Sequence, residues 1–341
     1  MPESKLTLAR LPTPIQKLKH LSEELGKSIY LWRDDLNGML ESGNKLRKLE
    51  FLMADAIQKK CDTIITCGGP QSNHTRATAI IARQLGLNVS ILVLPRPGFD
   101  RSQIPNSNLL LNQIYDTDLI WLDYDEFQKR GATYLPFLEE EENRLKQQGK
   151  KPYVIPLGGS NALGCRGYHE AIPEMLTTWE ALTGTKHPSD LFCALGSGGT
   201  FVGLEWGIQE FEPSIRLHGV NVIGPIQTAE KYVQQLHHDL LKNYQIKINS
   251  AHANRIDGYV GAGYSIASDE DLRFYVEIAR KEGVLLDPCY TGKAFQGMIS
   301  EIKKNPDRFG NEILFLHSGG TLGTFAYANQ YQQILKPYSS L

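Results

Sequence analysis

The side chains of this chain that could do chemistry gather in four glycine-bearing turns, each placed where an apolar run gives way to a helical pattern. The turn Gly196-Ser197-Gly198-Gly199-Thr200 follows such a run. Free backbone N–H groups at the helix start would converge there on an anion such as phosphate, and Ser197 and Thr200 would add hydroxyl donors. It has neither the lysine of a G-x-x-x-x-G-K-[ST] loop nor the spacing of G-x-G-x-x-G, which weakens nucleoside triphosphate and dinucleotide readings. A tight turn without a ligand is the competing reading. The segment Gly68-Gly69-Pro70-Gln71-Ser72-Asn73-His74-Thr75 offers short polar groups to a carboxylate or phenolate, unless Ser72 or Asn73 simply caps a helix. In Ser42-Gly43-Asn44-Lys45-Leu46-Arg47-Lys48, Lys45 is a candidate nucleophile among basic neighbours, against the alternative of a solvated surface lysine. The fourth turn is His317-Ser318-Gly319-Gly320-Thr321, preceded by Asp287-Pro288-Cys289-Tyr290-Thr291-Gly292-Lys293 at another helix start, and hydroxyls cluster at both. For His74 and His317 a hydrogen-bonded structural role is preferred over acid–base work.

The elements that must position these turns alternate. Short β-rich runs at 63–66, 89–94, 119–122, 153–155, 191–195, 217–222 and 313–316 are expected to be strands buried on both faces. Between them, 46–59, 72–85, 124–148, 200–210, 269–281 and 291–303 carry helical patterns, the rhythm of parallel α/β units. In the first of these helices Leu49, Leu52, Met53, Ala56 and Ile57 form one apolar stripe, so Lys45 stands at the helix mouth. Composition shifts at 95–105 and 156–167 mark loops, and the second is where the chain is expected to pass from a smaller lobe to a larger one. No internal repeat or low-complexity tract is evident, and the acidic run 139–142 is expected to be a solvated helix face.

A chain of 341 residues exceeds what one hydrophobic core usually serves, so two lobes with a cleft between them are expected. With 41% hydrophobic and 22% charged residues and a formal net charge of -2, the chain has no broad field for nucleic acid or anionic membrane. Its five cysteines are scattered and odd in number, without a C-x-x-C pair. This argues against a disulfide framework or zinc knuckle and fits reduced thiols in cytoplasm. Residues 1–18 show no targeting pattern, and no apolar stretch approaches the ~20 residues that span a bilayer.

Taken together and in this order, the segments resemble the D-cysteine desulfhydrase and 1-aminocyclopropane-1-carboxylate (ACC) deaminase family of fold type II pyridoxal-phosphate enzymes. The most specific pieces are G-N-K-L-R-K-L-E at 43–50, Q-S-N-H-T-R at 71–76, G-S-G-G-T at 196–200 and D-P-C-Y-T-G-K at 287–293. The resemblance implies a two-lobed α/β fold like that of the tryptophan synthase β subunit, each lobe a mostly parallel twisted sheet flanked by helices. The smaller lobe would span 51–160 and the larger, cofactor-binding lobe 1–50 plus 161–341, with the active site in the cleft. A homodimer acting on a small amino acid is expected, with no metal.

The resemblance further implies that Lys45 carries pyridoxal 5'-phosphate as a Schiff base, that Asn73 meets the phenolic oxygen, and that Gly196, Ser197, Gly198, Gly199 and Thr200, helped by Lys48, hold the phosphate. Gln71, Ser72, Asn73 and Tyr290 would contact substrate. Tyr264 and Tyr290 would be the active-site tyrosines, and which of them titrates stays open. Deaminases of the family carry glutamate after the active-site tyrosine and leucine after the late histidine, where this chain has Thr291 and Ser318. Neutral hydroxyls beside the pyridine nitrogen leave it largely unprotonated, a weaker electron sink. Opening a cyclopropane calls for the stronger sink, whereas expelling thiolate does not. The expected reaction is therefore conversion of D-cysteine or a related β-substituted amino acid to pyruvate, ammonia and sulfide. ACC deamination to 2-oxobutyrate and cysteate sulfo-lysis are the rivals, and an amino-acid sensor that binds the cofactor without turnover is the non-enzymatic one. Two departures from the family pattern bear on substrate: Gly68-Gly69-Pro70, and Cys165-Arg166. An Arg166 in the cleft would suit cysteate, but a solvent-facing one is preferred.

Overall fold

Apolar runs become the strands of two sheets in the computed structural model, which describes residues 4–102 and 104–335. The strands are β1 (Ile15–Lys17), β2 (Ser28–Trp32), β3 (Thr63–Gly68), β4 (Asn88–Val93), β5 (Asp118–Trp121), β6 (Pro152–Val154), β7 (Asp190–Leu195), β8 (Arg216–Asn221), β9 (Ala253–Ile256) and β10 (Glu312–Leu316). The smaller sheet has the order β5-β4-β3-β6 and is parallel throughout; the larger has the order β1-β2-β10-β7-β8-β9, with only β1 antiparallel. Each sheet is covered on both faces, which is why its strands are continuous apolar runs. Along β7, Leu191, Cys193 and Leu195 enter one core cluster and Phe192 the opposite one, the two-residue alternation of a strand. In the smaller sheet Ile64 and Ile65 divide the same way.

The helices are α1 (Lys19–Leu25), α2 (Asn44–Gln58), α3 (Asn73–Gln84), α4 (Ser107–Ile114), α5 (Tyr124–Lys129), α6 (Leu135–Gln147), α7 (Ala162–His169), α8 (Ala171–Thr183), α9 (Gly199–Phe211), α10 (Ile226–Tyr244), α11 (Asp269–Glu282), α12 (Thr291–Lys304) and α13 (Ala328–Ile334). Two expectations need correction. The single helix expected over 124–148 is two, α5 and α6. Gly131 (φ 87°) and Ala132 (φ 54°) turn the chain out of the right-handed region, and Pro136 suits the first turn of a new helix. The expected loop 156–167 holds the start of α7, capped by Asn161, whose side chain accepts from the Gly164 N–H at 2.8 Å. The small residues there serve backbone-to-backbone packing rather than a turn: a Cβ on Gly167 would lie 2.6 Å from the Arg47 carbonyl of α2.

The strands of the smaller sheet come from 63–154 and those of the larger from 15–32 and 190–316. The expected lobe boundary between residues 50 and 51 falls inside α2, whose Leu46, Leu49, Leu52 and Met53 pack in the same cluster as Ile64 and Ile91 of the smaller sheet. A buried polar knot fixes this helix to the larger lobe. Arg47 donates to Asp34 Oδ2 at 2.8 Å and to Glu174 Oε1 at 2.9 Å, and Asp34 also accepts from Thr13 Oγ1 and Tyr168 Oη. Among the described residues no helix is long and apolar enough to cross a membrane.

Candidate active site

The C-terminal ends of β3, β7 and β10 converge on one cavity of about 250 Å³ between the two sheets, the place where open α/β sheets hold ligands. Of the residues singled out in the sequence, Lys45, Lys48, Ser72, Asn73, Gly196, Ser197, Gly198, Thr200, Tyr264, Tyr290 and Ser318 line it.

One end is built for an anion. Helix α9 begins at Gly199 behind the left-handed Gly198 (φ 84°), so its first N–H groups face the turn after β7. Lys48 comes from the opposite side on α2, is 1% exposed, and donates to Gly158 O at 3.2 Å and Ser160 Oγ at 3.3 Å. Burial lowers its pKa to about 8. Ser160 ties the parts together, meeting Ser197 Oγ at 2.8 Å and accepting from the Gly199 N–H at 3.2 Å. Asn44 donates to Thr200 Oγ1 at 2.9 Å, joining the starts of α2 and α9.

Lys45 stands one residue inside α2 on a turn with little freedom. Gly43 has φ 112° and ψ -175°, and a Cβ there would sit 2.7 Å from Ser318 O. Asn37 brackets that glycine, accepting from its N–H at 2.9 Å and donating to its carbonyl at 3.1 Å. Burial, then the Lys48 ammonium, push the Lys45 pKa well below the usual lysine value, so its amine is available as a base or nucleophile. Neither lysine makes an ion pair among the described residues.

Opposite Lys45, Asn73 opens α3. Its Oδ1 accepts from Asn108 Nδ2 at 2.9 Å, which leaves the Asn73 amide N–H groups as donors to the cavity. Ser72 caps α3 through the Thr75 N–H at 3.3 Å, yet also lines the cavity, so its capping and its binding readings are compatible. The hydroxyls of Tyr264 and Tyr290 hydrogen-bond to each other. Desolvation raises both phenols above the usual tyrosine range, Tyr264 while still 36% exposed, so both stay protonated near neutrality and serve as hydroxyl partners rather than bases.

Three expected site residues lie outside the lining. The Thr291 hydroxyl donates to Asp287 Oδ1 at 2.6 Å and accepts from the Asp287 N–H at 2.9 Å, and the residue is fully buried against that carboxylate. Of the Thr291 and Ser318 pair, only Ser318 reaches the cavity. Gln71 turns to α4, donating to Asn106 Oδ1 at 2.9 Å and accepting from the Asn108 N–H at 3.0 Å. Gly199 spends its N–H on Ser160. Arg166 does not enter the cavity either; it pairs with Glu170 at 2.7 Å and covers Phe51. His317 has both ring nitrogens engaged, with Leu285 O and the Gly319 N–H.

His74, by contrast, lines the cavity. Thr66 Oγ1 donates to Ile155 O, so it accepts from His74 Nε2, and Nδ1 is left as a buried acceptor without a partner among the described residues. Burial, with Lys45 and Lys48 nearby, holds this imidazole neutral. The wall also includes Asn44, from the same turn as Lys45, and Tyr134, Gly158, Thr228 and Tyr232, which come from distant segments with no local motif. Asn108, the fully buried residue behind Asn73, likewise carries no signal of its own in the sequence.

Two desolvated lysines, helix-start amides and serine hydroxyls at one end, with an amide donor and phenols at the other, fit a phosphorylated aromatic aldehyde. The pyridoxal-phosphate dependent enzyme family model matches residues 6–319, and the chain belongs to that family, with the fold type II architecture. It is 37% identical over 333 residues to a putative 1-aminocyclopropane-1-carboxylate deaminase of Thermotoga maritima, covering 96% of this chain and 99% of that one. It is 37% identical over 344 residues to a mitochondrial bifunctional D-cysteine desulfhydrase/1-aminocyclopropane-1-carboxylate deaminase of Arabidopsis thaliana, covering 100% of this chain and 84% of that one. A solved ACC deaminase homologue superposes with a TM-score of 0.83 at 32% identity, over 97% of this chain and 96% of its own.

Proposed function

We propose that this protein is a lyase that eliminates the β-substituent of D-cysteine or a related small amino acid. With water consumed in the final hydrolysis, the products are pyruvate, ammonia and sulfide. The composition of the cavity wall supports this most: two lysines, hydroxyls and amides line it, with no aspartate or glutamate among the described residues. Ser318 is then a neutral partner for a pyridine nitrogen, and the weaker electron sink this creates suffices for expelling thiolate.

Bound in this cavity, pyridoxal 5'-phosphate supplies a sink for the electron pair released when the Cα–H bond breaks. Lys48, Ser197, Gly198 and Thr200 would hold its phosphate, and Lys45 would hold its aldehyde carbon. The Lys45 amine would take the substrate Cα proton, a role its lowered pKa suits. Ser72 and the Asn73 amide would face the substrate carboxylate, while the Tyr264–Tyr290 pair, one hydroxyl donating to the other, keeps one O–H to donate to substrate without ionising. These groups are positioned before substrate arrives, by Asn37, Asn108 and Ser160 behind them.

The names of the relatives favour ACC deamination as the second reading. Assays of the purified holoenzyme on D-cysteine, L-cysteine, cysteate, D-serine and ACC separate the two. Pyruvate with sulfide from D-cysteine, at a kcat/KM above that for ACC, is the expected result; 2-oxobutyrate from ACC as the dominant product would overturn it. A spectral change with D-cysteine and no product would point to a sensor.

A further inference from the structure

Lys293 is a lysine in an unfavourable place. It lies in the first turn of α12, where the helix dipole disfavours a cation, it is 1% exposed, and it makes no ion pair among the described residues. Its ammonium is spent on two backbone carbonyls, Val260 O and Gly263 O, each at 2.7 Å. Those carbonyls belong to the loop before Tyr264, in which Gly258 (φ 95°), Gly261 (φ 64°) and Gly263 (φ 138°) all take left-handed backbone. A loop with that much glycine has little stiffness of its own. Tyr264 follows directly, its ring 3.6 Å from where a Cβ on Gly69 would sit and its hydroxyl on that of Tyr290.

We propose that Lys293 is a positioning residue: its ammonium clamps the 260–263 loop and so holds the Tyr264 hydroxyl against Tyr290 at the cavity wall. This deepens the proposed function and rests on it for the role of Tyr264. The geometry matches the chemistry of the clamp. An ammonium offers several donors to carbonyl oxygens that converge from one loop, a task a neutral side chain of the same length cannot perform. Burial lowers the pKa of Lys293, the cost of keeping this cation away from water. The bound cation is also small enough for an exogenous one to replace.

The test uses holoenzyme carrying Lys293→Met, which keeps the buried stem, and Lys293→Ala, which leaves room for an added cation. Crystal structures of both should show Tyr264 out of hydrogen-bonding reach of Tyr290. On the substrate that the wild type turns over best, kcat should fall on the order of 100-fold, the scale expected for an angstrom of misplacement. Adding Lys293→Met to Tyr264→Phe should cost nothing more, since both act through the same hydroxyl. Ammonium or methylammonium should restore kcat of Lys293→Ala, and tetramethylammonium should not. Tyr264 unmoved in the variant structures, or losses that multiply in the double variant, would overturn the clamp. If the wild type turns over none of the amino acids, the proposed function fails while the crystal structures still decide the clamp.

Discussion

The charge on Lys48 depends on what faces it. Without an anion its buried ammonium has a pKa of about 8, against 10.5 for an ordinary lysine. An anion bound beside it favours the protonated form, so binding is full below about pH 8 and requires proton uptake above it. Pyridoxine 5'-phosphate, which brings the anion without the aldehyde, should therefore bind the apoprotein about tenfold more weakly per pH unit above 8. Calorimetry across pH 7 to about 9.5 checks this, and Lys48→Met should bind weakly with no such slope. Apoprotein stability moves the other way. Between pH 8 and 10.5 the unfolded chain holds more protons at this position, so the Lys48 contribution rises with pH across that window. At this scale the motifs carry most of the site, because Lys45, Asn73 and the 196–200 turn lie at helix starts whose position follows from the pattern. Thr291 and Gln71 were not legible, since whether a hydroxyl or amide faces a cavity or a neighbour depends on Asp287 and Asn106, and neither pairing leaves a mark on spacing.

Elements place the site through their ends. Gly43→Ala would force a side chain into a backbone region essentially reserved for glycine and against the Ser318 carbonyl, a strain of about 1–3 kcal/mol. The expected result is a lower melting temperature together with weaker cofactor retention, because the turn carries Lys45; a variant that loses neither would contradict the role given to this turn. Arg47→Met leaves Asp34 buried and without its cation, which should destabilise the fold by about 3–5 kcal/mol in urea unfolding. Arg47→Met together with Asp34→Leu should recover part of that loss. Seven strands were legible because parallel strands covered on both faces are unbroken apolar runs. The remaining β1 and β9 are short and half-polar, and β2, though an apolar run as long as β10, follows the brief α1 with only Gly26 and Lys27 between them. Helix α7 was hidden because Gly164, Cys165 and Gly167 suggest a turn, although Gly167 is what lets α7 approach α2, and Gly203 of α9 is what lets α9 approach the Cys165 carbonyl.

At the scale of the molecule, the alternation of strands and helices carries two sheets and a cleft, but not the surface. Met39, Ile114 and Phe325 are 66%, 64% and 61% exposed. They sit on the loop before α2, on α4 and on the segment packed against α4, the first two bridged by Arg76, which donates to Ser42 O and Asn108 Oδ1. We propose that a second copy of the chain covers this face. Sedimentation should give a dimer for the wild type and a monomer for Met39→Asp combined with Ile114→Asp; a wild-type monomer would contradict it. The central claim is narrower, that one desolvated lysine holds the cofactor. It is tested most directly by reducing the holoenzyme with borohydride and mapping the modified peptide by mass spectrometry. The phosphopyridoxyl mass should fall on Lys45 and vanish in Lys45→Ala; finding it on Lys48, on Lys293, or on no lysine at all would contradict the account.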